Sequence, residues 1–144
     1  MQIRKILLAA SVMGVLGFSA PKPIATTTHK VAHYTKVELN CLMRNIYHEA
    51  RGEPLVGMVA VAKVTLNRAK GSSICAAVYA PYQFSWTLKP RRDPVYYPYE
   101  IYQAAHLAAY SNFPATHYHA THVKPVWSKK LTKLKQIGNH IFYV

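Results

Sequence analysis

The stretch Asn45–Pro54 reads NIYHEARGEP, and its pattern predicts the end of one helix, a turn and the start of a second helix. Gly52 suits the left-handed backbone position that ends a helix, and Pro54 suits the first turn of the next helix. The stretch also carries Glu49 and Glu53, two of only five acidic residues, against eighteen Lys and Arg. The remaining acids are Glu38, Asp93 and Glu100. A reaction that needs a carboxyl group therefore has five candidates.

A helix from Lys36 to Ala50 is predicted to lead into this stretch. Thr35 and Glu38 have the spacing of a capping box, in which each side chain bonds the backbone N–H of the other residue. Apolar residues then recur at helical spacing, and they are Leu39, Leu42, Met43, Ile46 and Tyr47.

Glu49 lies at the edge of the buried stripe of this helix, about 20° from Leu42 at 100° per residue. Loss of solvation there and the negative potential of the helix C-terminus both favour the protonated carboxyl group that a general acid requires. The excess of positive charge on the chain acts in the opposite direction. A structural alternative pairs Glu49 with Arg51 and uses Glu53 as the N-terminal cap of the next helix.

The remainder of the chain has helices first and short strands last, which is typical of an α+β domain. Gly71 is expected to end the second helix. Phe84 and Trp86 alternate with polar residues, which favours an extended segment there. The predicted elements are helices over Pro54–Ala69, Ser72–Tyr79 and Tyr99–Tyr110, an extended Pro81–Trp86, a loop over Lys89–Pro98, and two strands, expected to pair, over Ala115–Ala120 and Asn139–Val144.

The N-terminus has the pattern of an export signal. Arg4 and Lys5 precede an uncharged run from Ile6 to Phe18, which is short for a membrane span and typical of a signal core. We therefore predict a signal peptide or signal anchor over 1–20, a polar linker over 21–35 and a single folded domain over 36–144. Export would place the protein in the periplasm, the cell envelope or the extracellular space, and an uncleaved signal would anchor it to the membrane.

The two cysteines, Cys41 and Cys75, suit an oxidising compartment and could form one bridge. Such a bridge would stabilise the fold by roughly 3–4 kcal/mol in the chain-entropy model. Two buried free thiols are the alternative.

The net charge of +13, with His neutral, indicates an anionic or strongly hydrated partner surface. Zinc-finger spacing, an RNA-binding aromatic motif and a basic heptad array are all missing from the sequence, so nucleic acid is not expected as a partner. Anionic cell-wall polymer or a membrane surface fits better. A merely solvated basic surface accounts for many of the lysines, especially over Lys129–Lys135.

Tyrosine is abundant, and flat aromatic rings with a polar tip suit sugar rings, although half-buried core packing is the alternative for any one of them. His117 and His119 would share one face of a strand, and His122 or His48 could complete a three-ligand zinc site. The HExxH spacing of zinc peptidases is not present. The histidines are therefore expected to contact substrate or to make structural hydrogen bonds.

The blocks NIYHEARGEP, Leu66-Asn67-Arg68, Cys75, QFSWT, ATHYHA, Trp127 and IGNHIFYV occur in the order typical of SleB-type cell-wall hydrolases, a family that this chain resembles from about Cys41 to Val144. The resemblance implies a lysozyme-like α+β domain over 36–144 that cleaves the peptidoglycan glycan strand between N-acetylmuramic acid and N-acetylglucosamine. It also implies lytic transglycosylase chemistry, with one essential Glu that maps onto Glu49.

On this interpretation the protein acts as a monomer and needs neither a cofactor nor a metal. Two alternatives remain, a zinc-dependent N-acetylmuramoyl-L-alanine amidase that uses the histidines, and a cationic wall-binding protein without enzyme activity. The residues expected to bind substrate are Arg51, Glu53, Tyr82, Gln83, Ser85, Trp86, His117, Tyr118 and His119.

Overall fold

The structure, a computed structural model, describes residues 33–89 and 92–144. Predicted segment 1–20 and all but the last three residues of predicted linker 21–35 lie outside the described residues. The elements, in chain order, are helices α1 Lys36–Ala50, α2 Leu55–Arg68, α3 Ile74–Tyr79, α4 Ser85–Leu88 and α5 Tyr99–Tyr110, strand β1 His117–Ala120, a 3₁₀ helix Val126–Lys130, and strands β2 Lys133–Ile137 and β3 His140–Tyr143. The α+β class is confirmed.

Helices α1, α2, α3 and α5 pack around one apolar core. The C-terminal sheet packs against α2 and contributes Phe142 to this core. Burial of these apolar side chains is the main favourable term in the folding of such a domain. Within the described residues, no helix is long and apolar enough to cross a lipid bilayer. The largest fully buried apolar side chains are Leu42, Ile46, Val61, Val64, Val78, Ile101 and Phe142.

Helix α1 has the predicted bounds and the predicted start. The Thr35 hydroxyl accepts a hydrogen bond from the Glu38 N–H at 3.1 Å, and the Glu38 carboxylate accepts one from the Thr35 N–H at 3.3 Å, so the capping box is confirmed. The role predicted for Gly52 is wrong, because only Gly71 and Gly138 among the described glycines have positive φ. A turn bond from the Glu53 N–H to the Ala50 carbonyl follows α1 instead.

The structural alternative in which Glu53 caps the N-terminus of α2 is also wrong. Pro54 occupies the cap position without a side-chain hydrogen bond, while the Glu53 carboxylate accepts hydrogen bonds from the N–H of Asn139 at 2.9 Å and from its side-chain amide at 3.2 Å. Because Asn139 lies 86 residues away, this carboxylate ties the start of α2 to the turn between β2 and β3.

The segment predicted to be extended, Pro81–Trp86, is instead a turn that leads into helix α4 and includes its first two residues. Phe84 has an extended backbone and serves as the N-cap, and its carbonyl accepts hydrogen bonds from the N–H and the hydroxyl of Thr87. Phe84 and Trp86 lie on one side and are both buried, while Gln83 and Ser85 are exposed. An apolar pair two residues apart therefore fits a single helical turn as well as a strand when the segment is this short.

The sheet has the order β1-β3-β2, and both pairs are antiparallel. The predicted pairing of the strands at His117–Ala120 and His140–Tyr143 is confirmed, with His117 opposite Tyr143. Strand β2 and the 3₁₀ helix lie in the region interpreted as a solvated basic surface. Gly138 has φ +55°, and a Cβ at this position would collide with the Glu53 carboxylate, so the β2–β3 turn requires glycine.

Cys41 and Cys75 form a disulfide, as predicted. The bond joins α1 to α3 and closes a segment with a sequence separation of 34 residues. It therefore restrains the helix that carries Glu49.

Candidate functional site

Glu49, in the last turn of α1, contacts Tyr118 of β1. The Tyr118 hydroxyl donates a hydrogen bond to Glu49 Oε2 at 2.9 Å. Burial raises the pKa of Tyr118 well above its ordinary value of 10.0, and the negative charge of Glu49 raises it further. The hydroxyl therefore keeps its proton and acts as a donor to the carboxylate.

Arg68, the last residue of α2, places a positive charge beside this pair. Its Nε donates to the Thr116 carbonyl at 2.7 Å, and its guanidinium lies 5.4 Å from the centre of the Phe84 ring. Burial lowers the pKa of Arg68, while its interactions with Tyr118 and Glu49 act in the opposite direction. An arginine keeps its charge even so, because its ordinary pKa is very high.

Two open cavities lie side by side next to these residues, and we call them together the cleft. The larger has a volume of about 420 Å³ and the smaller about 240 Å³, and both are lined by Arg68, Gln83 and His117. The larger cavity is walled by small side chains of α3 and its flanks, namely Ser72, Ala76, Ala77 and Ala80. The smaller is walled by Tyr82, Tyr118 and Trp127, so Tyr118 connects the cleft to Glu49.

The two strand histidines share one face of β1, as predicted, because both rings pack against Trp127. His119 Nδ1 lies 2.8 Å from the Ala120 carbonyl, which can only accept, so Nδ1 carries the proton. His119 Nε2 lies 2.9 Å from the Tyr143 hydroxyl. Burial, followed by the charge of Arg68, lowers the pKa of His117 below 6.5.

The zinc site that the amidase alternative needs does not assemble in the part of the chain that the structure describes. No group of three or more His, Cys, Asp or Glu side chains there is arranged to hold a metal ion. His48 makes different contacts, since its ring stacks on Trp86 at 4.5 Å and its Nε2 lies 2.8 Å from Asp93.

Trp86 is a core residue rather than an exposed ring. Only 3% of it is exposed, and its indole N–H donates to the Asn45 side-chain oxygen at 2.9 Å. The Asn45 amide donates in turn to the hydroxyl of Thr65 at 3.0 Å, so a buried polar network joins α1, α2 and α4. Tyr82 is the opposite case, with 85% of it exposed and a positive φ of 61°.

The other predicted contacts fall into two groups. Gln83, His117 and Tyr118 line the cleft together with Tyr82, and His119 lies next to its wall at Trp127. The other three residues do not line the cleft. Arg51 donates a hydrogen bond to the Tyr47 carbonyl, Glu53 binds Asn139, and Ser85 is the exposed first residue of α4.

Sequence reasoning missed Arg68 and Asn67 as residues that build the site. The Asn67 amide donates to the carbonyls of Phe113 and Ala115, at 3.0 and 2.8 Å, and thereby holds the chain that leads into β1 against the end of α2. Both residues were visible only as part of the Leu66-Asn67-Arg68 block.

Asp93, the acid of the long loop, anchors that loop to α1. Its carboxylate binds Arg44 Nε at 2.9 Å and His48 Nε2 at 2.8 Å, and Arg44 also donates to the Tyr79 hydroxyl at 2.8 Å. The Asp93 carboxylate therefore has a structural role, in which it holds the loop against Arg44 and His48 of α1.

Comparison with known proteins identifies relatives of this chain. The sequence model of the family described as cell wall hydrolase matches residues 52–143. The spore cortex-lytic enzyme of Halalkalibacterium halodurans is 30% identical over 131 residues, which are 83% of this chain and 38% of that protein. The spore cortex-lytic enzyme of Bacillus subtilis is 27% identical over 134 residues, which are 85% of this chain and 43% of that protein. The chain spans less than half the length of these curated relatives.

Solved structures show the same fold. The catalytic domain of the Bacillus cereus SleB protein superposes with a TM-score of 0.68 at 25% identity, covering 78% of this chain and 93% of that domain. The catalytic domain of SleB from Bacillus anthracis superposes with a TM-score of 0.61, covering 77% of this chain and 97% of that domain.

Proposed function

Because the chain belongs to the cell wall hydrolase family, we propose that it degrades peptidoglycan by cleaving the glycan strand between N-acetylmuramic acid and N-acetylglucosamine. Glu49 is the single acid and base of this reaction, and the products carry 1,6-anhydromuramic ends. The observation that carries the proposal is the hydrogen bond from Tyr118 to Glu49 at the wall of an open cleft. The family match and the SleB-like fold support the choice of polymer.

The environments of the other carboxyl groups support a single-carboxylate reaction. All five acids of the chain lie in the described residues, and besides Glu49 three of them have hydrogen-bond partners elsewhere and one is exposed. Glycosidases that use water pair two carboxylates across the bond, about 5–5.5 Å apart for retention or about 6.5–9.5 Å for inversion. Glu38 accepts a hydrogen bond in the α1 cap, Glu53 binds Asn139, and Asp93 binds Arg44 and His48. Glu100 is exposed in the first turn of α5.

The proposed reaction needs no water molecule. Glu49 donates its proton to the glycosidic oxygen as the bond to C1 of N-acetylmuramic acid breaks, and the 2-acetamido group of that sugar stabilises the electron-poor carbon. The 6-hydroxyl of the same sugar then bonds to C1 and passes its proton to the Glu49 carboxylate, which restores the acid. One residue therefore acts first as acid and then as base.

The surroundings of Glu49 suit the form it takes after the first proton transfer. The Tyr118 hydroxyl donates to Oε2, and Arg68 supplies a positive charge, so the new carboxylate is stabilised at the moment when it forms. Exposed Tyr82, together with Gln83 and His117, would hold the sugar rings against the cleft.

Products distinguish the proposed reaction from its alternatives. Purified sacculi are incubated with the protein, with and without chelator, and the released fragments are analysed by mass spectrometry. We expect fragments lighter by one water than hydrolytic products, at a rate that the chelator leaves unchanged.

Reducing-end products would contradict the anhydro route and require a hydrolytic mechanism. Release of stem peptides, with activity lost to the chelator and restored by zinc, would favour the amidase. Binding to sacculi without any cleavage would favour the non-enzymatic wall-binding protein. The proposed location is outside the cytoplasm, in the periplasm or cell envelope or in the extracellular space, where this polymer is found.

A further inference from the structure

The solvent face of α5 carries a row of aromatic side chains. The buried residues of this helix are Ile101, Ala104, Ala105 and Ala108. At 100° per residue the aromatic residues lie on the opposite side of the helix. Tyr99 is 70% exposed, Tyr102 45% and Tyr110 50%. We call this set the α5 aromatic stripe, and its members are Tyr99, Tyr102, His106 and Tyr110.

Contacts between neighbouring rings order the stripe. The rings of Tyr99 and Tyr102 are nearly parallel, with centroids 6.5 Å apart, and Tyr102 contacts His106 at 4.3 Å. Tyr34, which precedes α1, adds a ring 6.5 Å from His106 and widens the surface. The twelve-residue helix is about 18 Å long at its ordinary rise. The rings of Tyr99, Tyr102 and His106 therefore form a continuous row, and Tyr110 lies one helical turn beyond them on the same face.

The charge of α5 differs from that of the whole chain. The chain carries +13, yet α5 contains no Lys or Arg and has one acid, Glu100. Nucleic acids and anionic lipid surfaces are bound chiefly through Lys and Arg, so α5 is poorly suited to either. Tyrosine combines a flat apolar face with a hydroxyl at its tip, which suits a neutral ligand that has apolar ring faces and hydroxyl groups.

The size of the stripe argues against a second copy of this chain as the partner. A surface about 18 Å long and one helix wide covers on the order of 200 Å². A stable protein interface buries about 800 Å² on each partner. An elongated polymer needs much less area at any one place on the protein.

We propose that the α5 aromatic stripe is a second binding site for a neutral glycan strand, separate from the cleft. No member of the stripe is among the residues that line the cleft. Only the choice of peptidoglycan as the source of that strand rests on the proposed function. The site holds the insoluble polymer while the cleft acts on one of its bonds, so it contributes to binding of sacculi and contributes nothing to cleavage of strands too short to reach it.

Binding is measured by co-sedimentation with purified sacculi, using the full chain with Glu49→Gln so that the polymer stays intact. In this background we compare the double variant Tyr99→Ser, Tyr102→Ser with the control Tyr96→Ser, whose tyrosine is 87% exposed and lies outside the stripe. The double variant should bind about tenfold more weakly, because two ring contacts are lost. The control should bind like the parent. Thermal unfolding checks each fold, and the single variant Tyr99→Ser replaces the double variant if the latter unfolds.

Equal binding of the double variant and the parent would overturn the inference, as would an equal loss in the Tyr96→Ser control. A dimer in sedimentation velocity that the double variant abolishes would also overturn it, by assigning the stripe to self-association. Stripe-dependent binding to vesicles of anionic lipid would overturn it in favour of a membrane.

A second measurement separates this inference from the proposed function. With Glu49 intact, the double variant should cleave sacculi more slowly at low polymer concentration and should cleave short soluble strands at the parent rate. If the parent cleaves neither substrate, the proposed function fails while the binding result still stands. If the parent cleaves both and the double variant binds sacculi normally, this inference alone fails.

Discussion

Glu49 and Glu53 lie four residues apart in the sequence, and the C-terminal sheet holds them in two different environments. Glu49 is half-buried and accepts a hydrogen bond from Tyr118, a cleft residue 69 positions away. The Glu53 side chain is only 8% exposed, and both of its oxygens accept hydrogen bonds from Asn139. Glu49 therefore lies beside an open cleft, whereas Glu53 stabilises the β2–β3 turn.

The first prediction concerns the cleft carboxyl group and has the largest effect. Glu49→Gln should reduce sacculus cleavage by about 10²–10⁴-fold, since it removes the transferable proton while keeping the size of the side chain. The melting temperature should stay near that of the wild type. Cleavage is measured by the release of soluble muropeptides, and more than a tenth of wild-type activity would remove Glu49 from the mechanism.

For Glu53, the carboxyl group that binds the β2–β3 turn, we expect a loss of stability without a loss of activity. Glu53→Gln weakens two hydrogen bonds to a charged acceptor and should lower the free energy of unfolding by about 2 kcal/mol. Activity per folded molecule should not change. Denaturant unfolding measures the loss, and Glu100→Gln, which alters an exposed carboxyl group of α5, is the control, with an expected loss below about 1 kcal/mol. A Glu53→Gln protein that is stable but inactive would place Glu53 in the reaction.

Tyr118→Phe tests the contact that distinguishes Glu49. The variant keeps the ring and loses the hydroxyl that favours the charged form of the carboxyl group. We expect cleavage to fall about tenfold, together with a shift of the alkaline limb of the pH–rate profile to higher pH. Tyr143→Phe removes a hydroxyl that binds His119 instead and should leave that limb in place. If both variants have the same profile, the Tyr118 hydroxyl does not act on Glu49.

The smallest expected effect concerns the pH dependence of stability near Glu53. Burial lowers the pKa of His140 below its ordinary 6.5, with Glu53 opposing and His119 adding to the shift. The unfolded chain therefore binds a proton more readily than the folded chain, so stability is intact above pH 6.5 and declines as the pH falls below it. Melting temperatures between about pH 7 and pH 5 should fall less steeply for His140→Gln than for the wild type. His122→Gln, at an exposed histidine, is the control. If the melting temperature of His140→Gln falls with pH as steeply as that of the wild type, His140 is not the source of the pH dependence.

The local patterns were sufficient for the long helices. Helix α1 and helix α5 have the predicted bounds, because a capping box, apolar periodicity and proline before the first turn act within a few residues of one another. The strands β1 and β3 were also predicted, since their alternating side chains are a local signal.

The missed elements are those without such a signal. Helix α4 contains only four residues, and its buried Trp86 fits the period of a strand as well. Strand β2 has three exposed residues among its five, two of them lysines, so no apolar alternation marks it. The Gly138-Asn139 pair was the one available indication, because such pairs form two-residue hairpin turns.

For the candidate site, the sequence alone determined that Glu49 would lie on a half-buried helix edge and that the chain has only four other side-chain carboxyl groups. The tertiary structure decided its partners. Tyr118 and Arg68 lie beside Glu49 only because α2 and β1 pack against the end of α1, and Glu53 binds Asn139 only because the β2–β3 turn returns to α2. Helix periodicity arises within a few residues, whereas contacts between residues 69 and 86 positions apart depend on the packing of the whole domain.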